Sequence, residues 1–243
     1  MCLSRCIKVL PIFMIASLVC LLFIAEAYNR KPNKGHHRKA TKAYNGKTEK
    51  YNKEIAEEHY RKKCHKQMIQ DGIVPYFILN SFPVVIVTAE FDNNEQEQVL
   101  CGNIFNVTSM RKAPFVKVSS KVRCKYLTVI IVDVDNLDGA PFLHLLIHDI
   151  PADDLEKGID TGHDFNGTAA PYMKPAPKGS DSYRILILAY CQDSVLKAPK
   201  GTFSTYESRL KFDLTKESKK YDFGMPVGVN FCYLSYEWTE PLP

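Results

Sequence analysis

The sequence of 243 residues lacks the short motifs that mark the common hydrolytic and phosphate-binding sites. It has no G-x-S-x-G nucleophile turn, no H-E-x-x-H zinc motif and no P-loop, so the usual contexts for a nucleophile or a phosphate cradle are missing. We therefore predict a protein that is not an enzyme and uses no cofactor. A hydrolase acting on a small phosphorylated substrate stays as an alternative, because catalytic side chains can assemble from distant segments.

The C-x-x-C spacing is also absent, which argues against a zinc ribbon or a thioredoxin-like redox site. Residues 152–180 are rich in Asp, Gly and Pro but lack the D-x-D-x-D-G pattern of a calcium loop. We interpret this stretch as a long loop whose carboxylates are solvated. Long loops inside compact domains are usually functional.

The first 27 residues predict a secretory signal peptide. Residues 9–25 are uncharged and apolar, Arg5 and Lys8 precede them, and Ala25-Glu26-Ala27 forms a small-residue cleavage site. We expect cleavage after Ala27 and secretion. The alternative is a protein anchored in the membrane by residues 9–25, a run near the lower length limit for a span.

Secretion changes how the remaining cysteines are interpreted, because disulfides persist in oxidising compartments. One or two disulfides are expected, and at least one thiol is left over. The sequence leaves all pairings open among Cys64, Cys101, Cys124, Cys191 and Cys232. Two glycosylation sequons, at Asn106 and Asn166, agree with secretion.

Residues 28–53 are strongly basic and almost free of aliphatic side chains, so we predict a disordered segment. Such a segment can attract an anionic surface, but we favour a solvated linker or a propeptide, because charge runs are usually solvated. The formal net charge of +5 is mild, and we expect no nucleic-acid partner. Residues 54–72 predict a helix, because Ala56, Tyr60, Cys64 and Met68 recur at every fourth position.

Residues 73–240 predict one mostly β domain, an antiparallel β-sandwich with short peripheral helices. A short helix is expected at residues 214–221, with Thr215 as its cap. Apolar runs bounded by turn residues predict the strands, at residues 83–91, 98–100, 115–118, 127–132, 142–147, 183–190 and 229–238.

The central pair of strands carries the polar residues that suggest a binding site. Asp133 and Asp135 follow the first strand, and alternation along a strand places them on one face. His144 lies in the second strand, so the three side chains are expected to line a common pocket. A rival interpretation is a zinc site, because His144 and His148 lie four residues apart, with Asp135 and Asp149 near them.

Several segments, in the right order, resemble the phosphatidylethanolamine-binding protein family, which includes the Raf kinase inhibitor proteins. The likeness spans residues 73–238, and four segments carry most of it. They are YLTVIIVDVD at 126–135, HLLIHDI at 144–150, the block from Pro177-Lys-Gly179 to Tyr190-Cys-Gln192, and the helix and G-x-P-V turn at 214–227.

This resemblance implies a central β-sandwich and a small anion pocket that holds phosphate-type head groups. The family's pocket residues fall on Asp133, Asp135, His144, Pro177, Tyr183 and Arg184.

Three positions depart from the family pattern. Val134 and Leu137 stand where prolines are usual, and Tyr183 replaces a histidine, which removes a cation and keeps a hydroxyl donor. We therefore expect anion binding that is weaker or differently selective.

The sequence thus predicts a secreted binding or inhibitory module. Its expected partners are a phospholipid head group or small anion and an extracellular protein target. The alternative is an interaction protein with a vestigial pocket, which binds its partners through residues 28–53 or a free cysteine.

Overall fold

The computed structural model describes residues 34–78, 82–92, 98–138, 140–176 and 182–235, with side chains from residue 49 onward. The predicted signal peptide, Pro177 and Trp238 lie outside these residues. The chain divides into two compact units, Met1–Glu54 and Ile55–Pro243.

Helix α1 spans Lys34–Gln70 and therefore begins well before the predicted start at residue 54. Residues 34–53 were predicted to be disordered because they cannot form a core. That criterion left out their six Lys residues, which have high intrinsic helix propensity. Near the end of the helix, Cys64 and Met68 are buried, and Gly72 follows with a left-handed φ of 66°.

The larger of two sheets has six strands in the order β2-β9-β8-β4-β5-β7. Neighbouring strands are antiparallel except β2 and β9, which are parallel. The strands span Asn103–Asn106 (β2), Tyr126–Asp133 (β4), Phe142–Pro151 (β5), Thr168–Ala170 (β7), Tyr183–Gln192 (β8) and Gly228–Ser235 (β9).

The smaller sheet consists of β1 (Val87–Glu90), β3 (Phe115–Val118) and β6 (Ile159–Asp160), in the order β1-β3-β6. Helices α2 (Ala152–Lys157), α3 (Tyr206–Arg209) and α4 (Leu214–Lys220) are short. The predicted fold class is therefore confirmed in part. β structure dominates and the helices are few, as predicted, but the sheets are open and mixed and do not form a clear antiparallel sandwich.

Three local predictions were wrong. Gln98 makes a single bridge to Glu90, so no strand forms at residues 98–100. The loop predicted at 152–180 contains α2, β6 and β7, whose pieces are too short to show periodicity. Helix α4 is capped by Asp213, whose carboxylate accepts a hydrogen bond from the Lys216 N–H, rather than by Thr215.

The larger sheet buries apolar side chains on both faces, which explains the almost unbroken apolar runs of β4 and β8. One face packs with the smaller sheet into a core that we call the inner core; it includes Val129 and Ile187. The other face packs with the end of α1 and with Phe212 into an outer core, which includes Ile130 and Leu188.

Two disulfides join Cys64 to Cys101 and Cys124 to Cys191, with Cα–Cα distances of 5.3 and 5.6 Å. The first attaches helix α1 to the segment before β2, and the second links the start of β4 to the end of β8. Disulfides of this kind are typical of proteins from oxidising compartments. Cys232 is the free cysteine and is fully buried, so it is not available to a partner of the folded protein.

None of the described helices combines the length and the apolar content that a membrane span requires. Residues 9–25, the predicted anchor in the alternative interpretation, lie outside the described part of the chain.

Candidate functional site at the ends of strands β4, β5 and β8

Asp135 and Arg184 form an ion pair at the edge of the candidate site. The guanidinium donates to both carboxylate oxygens, from Nε at 2.7 Å and from Nη2 at 2.6 Å, and the Arg184 N–H adds a third bond at 2.9 Å. Hydrogen bonding to Asp135 raises the pKa of Arg184. Its Nη1 donates to the Asp71 carbonyl, and the guanidinium lies over the Phe77 ring at 5.2 Å. Both predicted residues therefore stabilise the fold, and their charges cancel.

Asp133 has a different environment, although it lies only two residues from Asp135. It is buried at the end of β4, where its carboxylate accepts a hydrogen bond of 2.8 Å from the Asp135 N–H. Burial raises the pKa of Asp133 to about 7, so near neutral pH the carboxyl exchanges between its charged and neutral forms. The expectation that the two aspartates act as one pair of pocket carboxylates is not met.

His144 lies at a β-bulge, which explains why its side chain departs from simple alternation. Ile131 pairs with Leu145 and Val132 pairs with Leu143, so His144 is the extra residue of strand β5. Its Nδ1 lies 2.8 Å from the Met173 carbonyl oxygen. Because a carbonyl only accepts, Nδ1 carries the proton of the neutral ring, and Nε2 presents a lone pair.

Burial lowers the pKa of His144 to about 4, and the nearby charge of Arg209 acts in the same direction. The imidazole is therefore neutral at physiological pH. Its Nε2 is buried and has no hydrogen-bond partner among the described residues. An unpartnered polar atom in the interior is uncommon and needs an explanation, such as a ligand or an ordered water molecule.

Arg209 lies next to His144 and was not predicted from the sequence. Its side chain is 1% exposed, and Nη1 donates to the carbonyl oxygens of His144 at 3.1 Å and Leu143 at 3.4 Å. No ion pair involves Arg209 within the described part of the chain, and its Nε is also without a hydrogen-bond partner. It lies in the one-turn helix α3, which is too short to show a burial pattern in the sequence.

Phe142 and Tyr206 complete the surroundings of His144. The Phe142 ring lies 5.0 Å from the imidazole and 5.0 Å from the Tyr206 ring, measured between ring centroids. We call His144, Arg209, Phe142 and Met173 the His144 cluster. No hydrogen bond joins this cluster to Asp133, Asp135 or Arg184 among the residues that the structure describes.

Two predicted pocket residues remain. Tyr183 is buried in the inner core, where it pairs with Leu234 on β9. Pro177 lies outside the described residues. Val134, which stands where the resembling family has a proline, is buried in the outer core, and Leu137 is exposed.

His148 lies four residues further along β5, at a second irregularity of the pairing with β4. Its Nδ1 lies 3.0 Å from the Thr128 hydroxyl, which donates to Gln192 Oε1 at 2.7 Å. Burial lowers the pKa of His148 to about 4. Across the described residues, no three side chains of the metal-binding types come together as a cation site, so the rival zinc interpretation gains no support.

The two sequon asparagines are accessible to different extents. Asn166 is exposed, whereas Asn106 is partly buried at the end of β2 and accepts hydrogen bonds of 2.9 Å from both the N–H and the hydroxyl of Thr108. Glycosylation at both positions stays a prediction.

No protein-family model matches the chain. Its fold, however, is that of the phosphatidylethanolamine-binding proteins, which confirms at the level of structure the resemblance read from the sequence. A phosphatidylethanolamine-binding protein from Plasmodium vivax superposes with a TM-score of 0.58 and 20% identity, covering 71% of this chain and 97% of that one. The carboxypeptidase Y inhibitor, solved with its cognate proteinase, gives 0.54 and 19%, covering 72% and 96%.

Among curated proteins, the chain is similar to "Putative odorant-binding protein A5" of Drosophila melanogaster. The two are 26% identical over 173 residues, which cover 68% of this chain and 77% of that protein.

Proposed function

We propose that this protein is a secreted, non-catalytic binding module that holds an anionic head group, such as that of a phospholipid, at the His144 cluster. The observation that carries the proposal is the pair of unpartnered buried atoms, His144 Nε2 and Arg209 Nε. Buried donors and acceptors almost always find partners. A ligand oxygen can accept from Arg209 Nε, and it can also accept from His144 Nε2 once that nitrogen carries a proton.

The charge of the cluster favours an anion over a neutral ligand. Arg209 is a buried cation without a carboxylate partner among the described residues, and an uncompensated buried charge is unfavourable. An anion beside it would compensate that charge. It would also favour the protonated form of His144, whose Nε2 would then become a donor to the ligand.

Three further observations support the proposal. The fold is shared with a protein whose name states that it binds phosphatidylethanolamine. The curated relative is named for binding odorants, so small-ligand binding is associated with a similar chain as well. The two disulfides and the predicted signal peptide agree with secretion. The proposed inhibitory role toward an extracellular protein is supported by the fold that this chain shares with the carboxypeptidase Y inhibitor.

The proposal predicts that head-group binding strengthens as the pH falls. The pKa of His144 is about 4 without ligand, and a bound anion raises it, so binding takes up a proton.

Thermal-shift measurements with phosphoethanolamine and with inorganic phosphate, at about pH 5 and about pH 7.5, test this proposal. We expect a larger rise in melting temperature at the lower pH and loss of that rise in His144→Phe. His163→Phe is the matched control, because His163 is exposed and pairs with Asp160 away from the cluster. The proposal fails if neither ligand shifts the melting temperature of the folded wild-type protein at either pH.

The second candidate is an interaction protein with a vestigial pocket. The observation that favours it is the Asp135–Arg184 pair, which neutralises the arginine that an anion pocket would otherwise use. The buried Cys232 removes the free-cysteine route to a partner, so the basic residues 28–53 remain for this role. Salt-sensitive retention on heparin that disappears when residues 28–53 are deleted, with no head-group binding, would favour this candidate.

A further inference from the structure

Tyr190, on strand β8, is a buried tyrosine that lines a hollow of about 520 Å³ beside helix α4. The residue packs in the outer core and is 2% exposed. Its ring stacks on Phe223, with the ring centroids 5.3 Å apart, which fixes the direction of the side chain. Burial raises the pKa of Tyr190, so the hydroxyl keeps its proton.

No hydrogen bond joins the Tyr190 hydroxyl to another described residue. The hydroxyl of Tyr172, which packs against the inner core, instead donates to the Met110 carbonyl oxygen at 2.8 Å. Buried polar groups almost always find a partner, and a hydroxyl can both donate and accept. The Tyr190 hydroxyl is therefore available to a molecule that enters the hollow.

The hollow beside Tyr190 belongs to an open trough. A second hollow of about 300 Å³ adjoins it, and the two share Tyr76, Phe77, Leu214 and Thr215. We call this feature the α4 trough; residues 75–78 form one wall and α4 forms the other. Neither hollow is lined by His144, Arg209 or Asp133, so the trough is separate from the His144 cluster.

Both walls of the α4 trough are held in place. Phe77 lies under the Arg184 guanidinium, which also binds the Asp71 carbonyl at the end of α1. On the other side, the Asp213 carboxylate caps α4 by accepting from the Lys216 N–H at 2.8 Å. The trough therefore exists before any ligand arrives, which reduces the ordering cost of binding.

The α4 trough presents apolar surface to solvent around Tyr190. Tyr76 is 82% exposed, and Met225, which lines the larger hollow, is 41% exposed. Exposed apolar side chains that surround a few polar groups are a recognised feature of small-molecule sites. The larger hollow therefore offers one buried hydroxyl within an otherwise apolar contact surface.

The lining of the trough favours neither sign of charge. Each hollow is lined by one lysine and one aspartate, which are Lys211 and Asp213 in the smaller hollow and Lys219 and Asp222 in the larger. Coulombic attraction therefore selects neither an anion nor a cation. A charged group placed beside the buried Tyr190 would lose hydration without gaining a net counter-charge, which is unfavourable.

We infer that the α4 trough binds a neutral apolar molecule with one hydrogen-bonding oxygen, such as a medium-chain alcohol, and that this oxygen lies at the Tyr190 hydroxyl. The hydrocarbon part lies against Tyr76, Leu214 and Met225, which line the same hollow. The hydroxyl thus fixes the polar end of the ligand, and the apolar side chains stabilise the remainder. This site uses none of the residues of the His144 cluster and does not depend on the head-group proposal.

Calorimetric titration of the full chain with hexanol, octanol, octanoate and octyltrimethylammonium tests the inference. Each additional buried methylene improves affinity about fourfold, so octanol should bind on the order of tenfold more tightly than hexanol. Octanol should also bind more tightly than either charged probe, because the hollow offers no net counter-charge.

Tyr190→Phe separates the hydrogen bond from the apolar contact, because it keeps the ring and removes the hydroxyl. Hexanol binding should weaken about two- to tenfold, whereas binding of chlorohexane, which lacks a hydroxyl, should be unchanged. Tyr172→Phe is the matched control, since it removes a tyrosine hydroxyl that is bound to Met110 and should change neither affinity.

Two further variants locate the site. Thr215→Trp, at an exposed position shared by both hollows, should weaken every probe. His144→Phe should change none of these affinities, so failure here and failure of the head-group proposal are distinguishable.

Three results would overturn the inference. One is binding of octanoate or octyltrimethylammonium at least as tight as that of octanol, because the site would then select a charge. Another is an affinity that does not depend on chain length, because apolar burial would then not drive binding. The third is an equal effect of Tyr190→Phe on hexanol and chlorohexane, because the ligand oxygen would then lie elsewhere.

Discussion

The His144 cluster and the α4 trough belong to one compact unit but offer opposite surroundings to a ligand. In the cluster, imidazole and guanidinium are buried, and main-chain carbonyls already occupy part of their hydrogen-bonding capacity. In the trough, the Tyr76 ring is exposed and the Tyr190 hydroxyl makes no hydrogen bond to another described residue. The polar positions that stand out in the sequence thus lie in the closed region, whereas the open region is built from ordinary residues.

Removing the disulfide that anchors α1 should have the largest effect, and it should act on the trough first. Cys64 and Cys101 are separated by 37 residues, so Cys64→Ala with Cys101→Ala should lower the free energy of unfolding by about 4 kcal/mol. Chemical unfolding measures this change. The single variant Cys232→Ala, which removes a buried thiol, should lower it by only about 1 kcal/mol. A similar decrease in the free energy of unfolding in the double variant and in Cys232→Ala would mean that the disulfide contributes little to stability.

The pH dependence of Asp133→Asn tests the closed region. Burial raises the pKa of Asp133 to about 7, above its unfolded value, so the unfolded chain binds fewer protons between about pH 4 and pH 7. The wild-type carboxyl therefore destabilises the fold as the pH rises through this range. Relative to wild type, Asp133→Asn should gain about 3 kcal/mol of stability between pH 4 and pH 8.

Urea unfolding of both proteins at several pH values measures this difference. Asp154→Asn, which changes an exposed carboxylate, is the control. A stability difference between Asp133→Asn and wild type that stays constant across this pH range would contradict a raised pKa at Asp133.

Asp135→Asn should affect the two regions differently. It removes the carboxylate from the paired Arg184 and should lower the free energy of unfolding by about 2 kcal/mol. Because Arg184 also holds Phe77, octanol binding should weaken several-fold while phosphoethanolamine binding is retained. An equal loss of both ligands would show that the cluster and the trough are not independent.

Asp213→Ala should have the smallest effect and should be confined to the trough. Loss of the N-cap of α4 lowers stability by about 1 kcal/mol, and the wall formed by α4 loosens. Thr205→Ala, which removes the cap of α3 near the His144 cluster, is the matched control. Only the first variant should weaken octanol binding in calorimetry.

The long strands could be predicted from the sequence, because their burial requires apolar side chains at nearly every position. The runs at β4 and β8 are apolar at nearly every position, since both faces of the larger sheet are covered. Short elements such as β6 and α3 contain too few residues for a periodic signal. The parallel pairing of β2 with β9 joins segments more than a hundred residues apart, and no local pattern encodes it.

The candidate site was predicted less well, for a physical reason that involves two positions of one strand. Alternation assumes a regular strand, but β5 has pairing irregularities at His144 and near His148. A bulge changes the face on which the following side chains lie, so spacing alone misplaces them. Asp133 and Asp135 show the same limit: turn geometry separates a buried carboxyl from an ion-paired one within three residues.

The position of β9 in the larger sheet also constrains how the protein can assemble. β9 follows the other described strands in the chain, yet it lies second in the sheet and joins β2 to β8. Until β9 is synthesised, β2 has no neighbour in this sheet, and Asn106 at its end has no Ser235 opposite it. Under the proposed secretion, a glycosylating enzyme would meet the predicted Asn106 sequon before the fold has closed over it, and strand order would set the time available for modification.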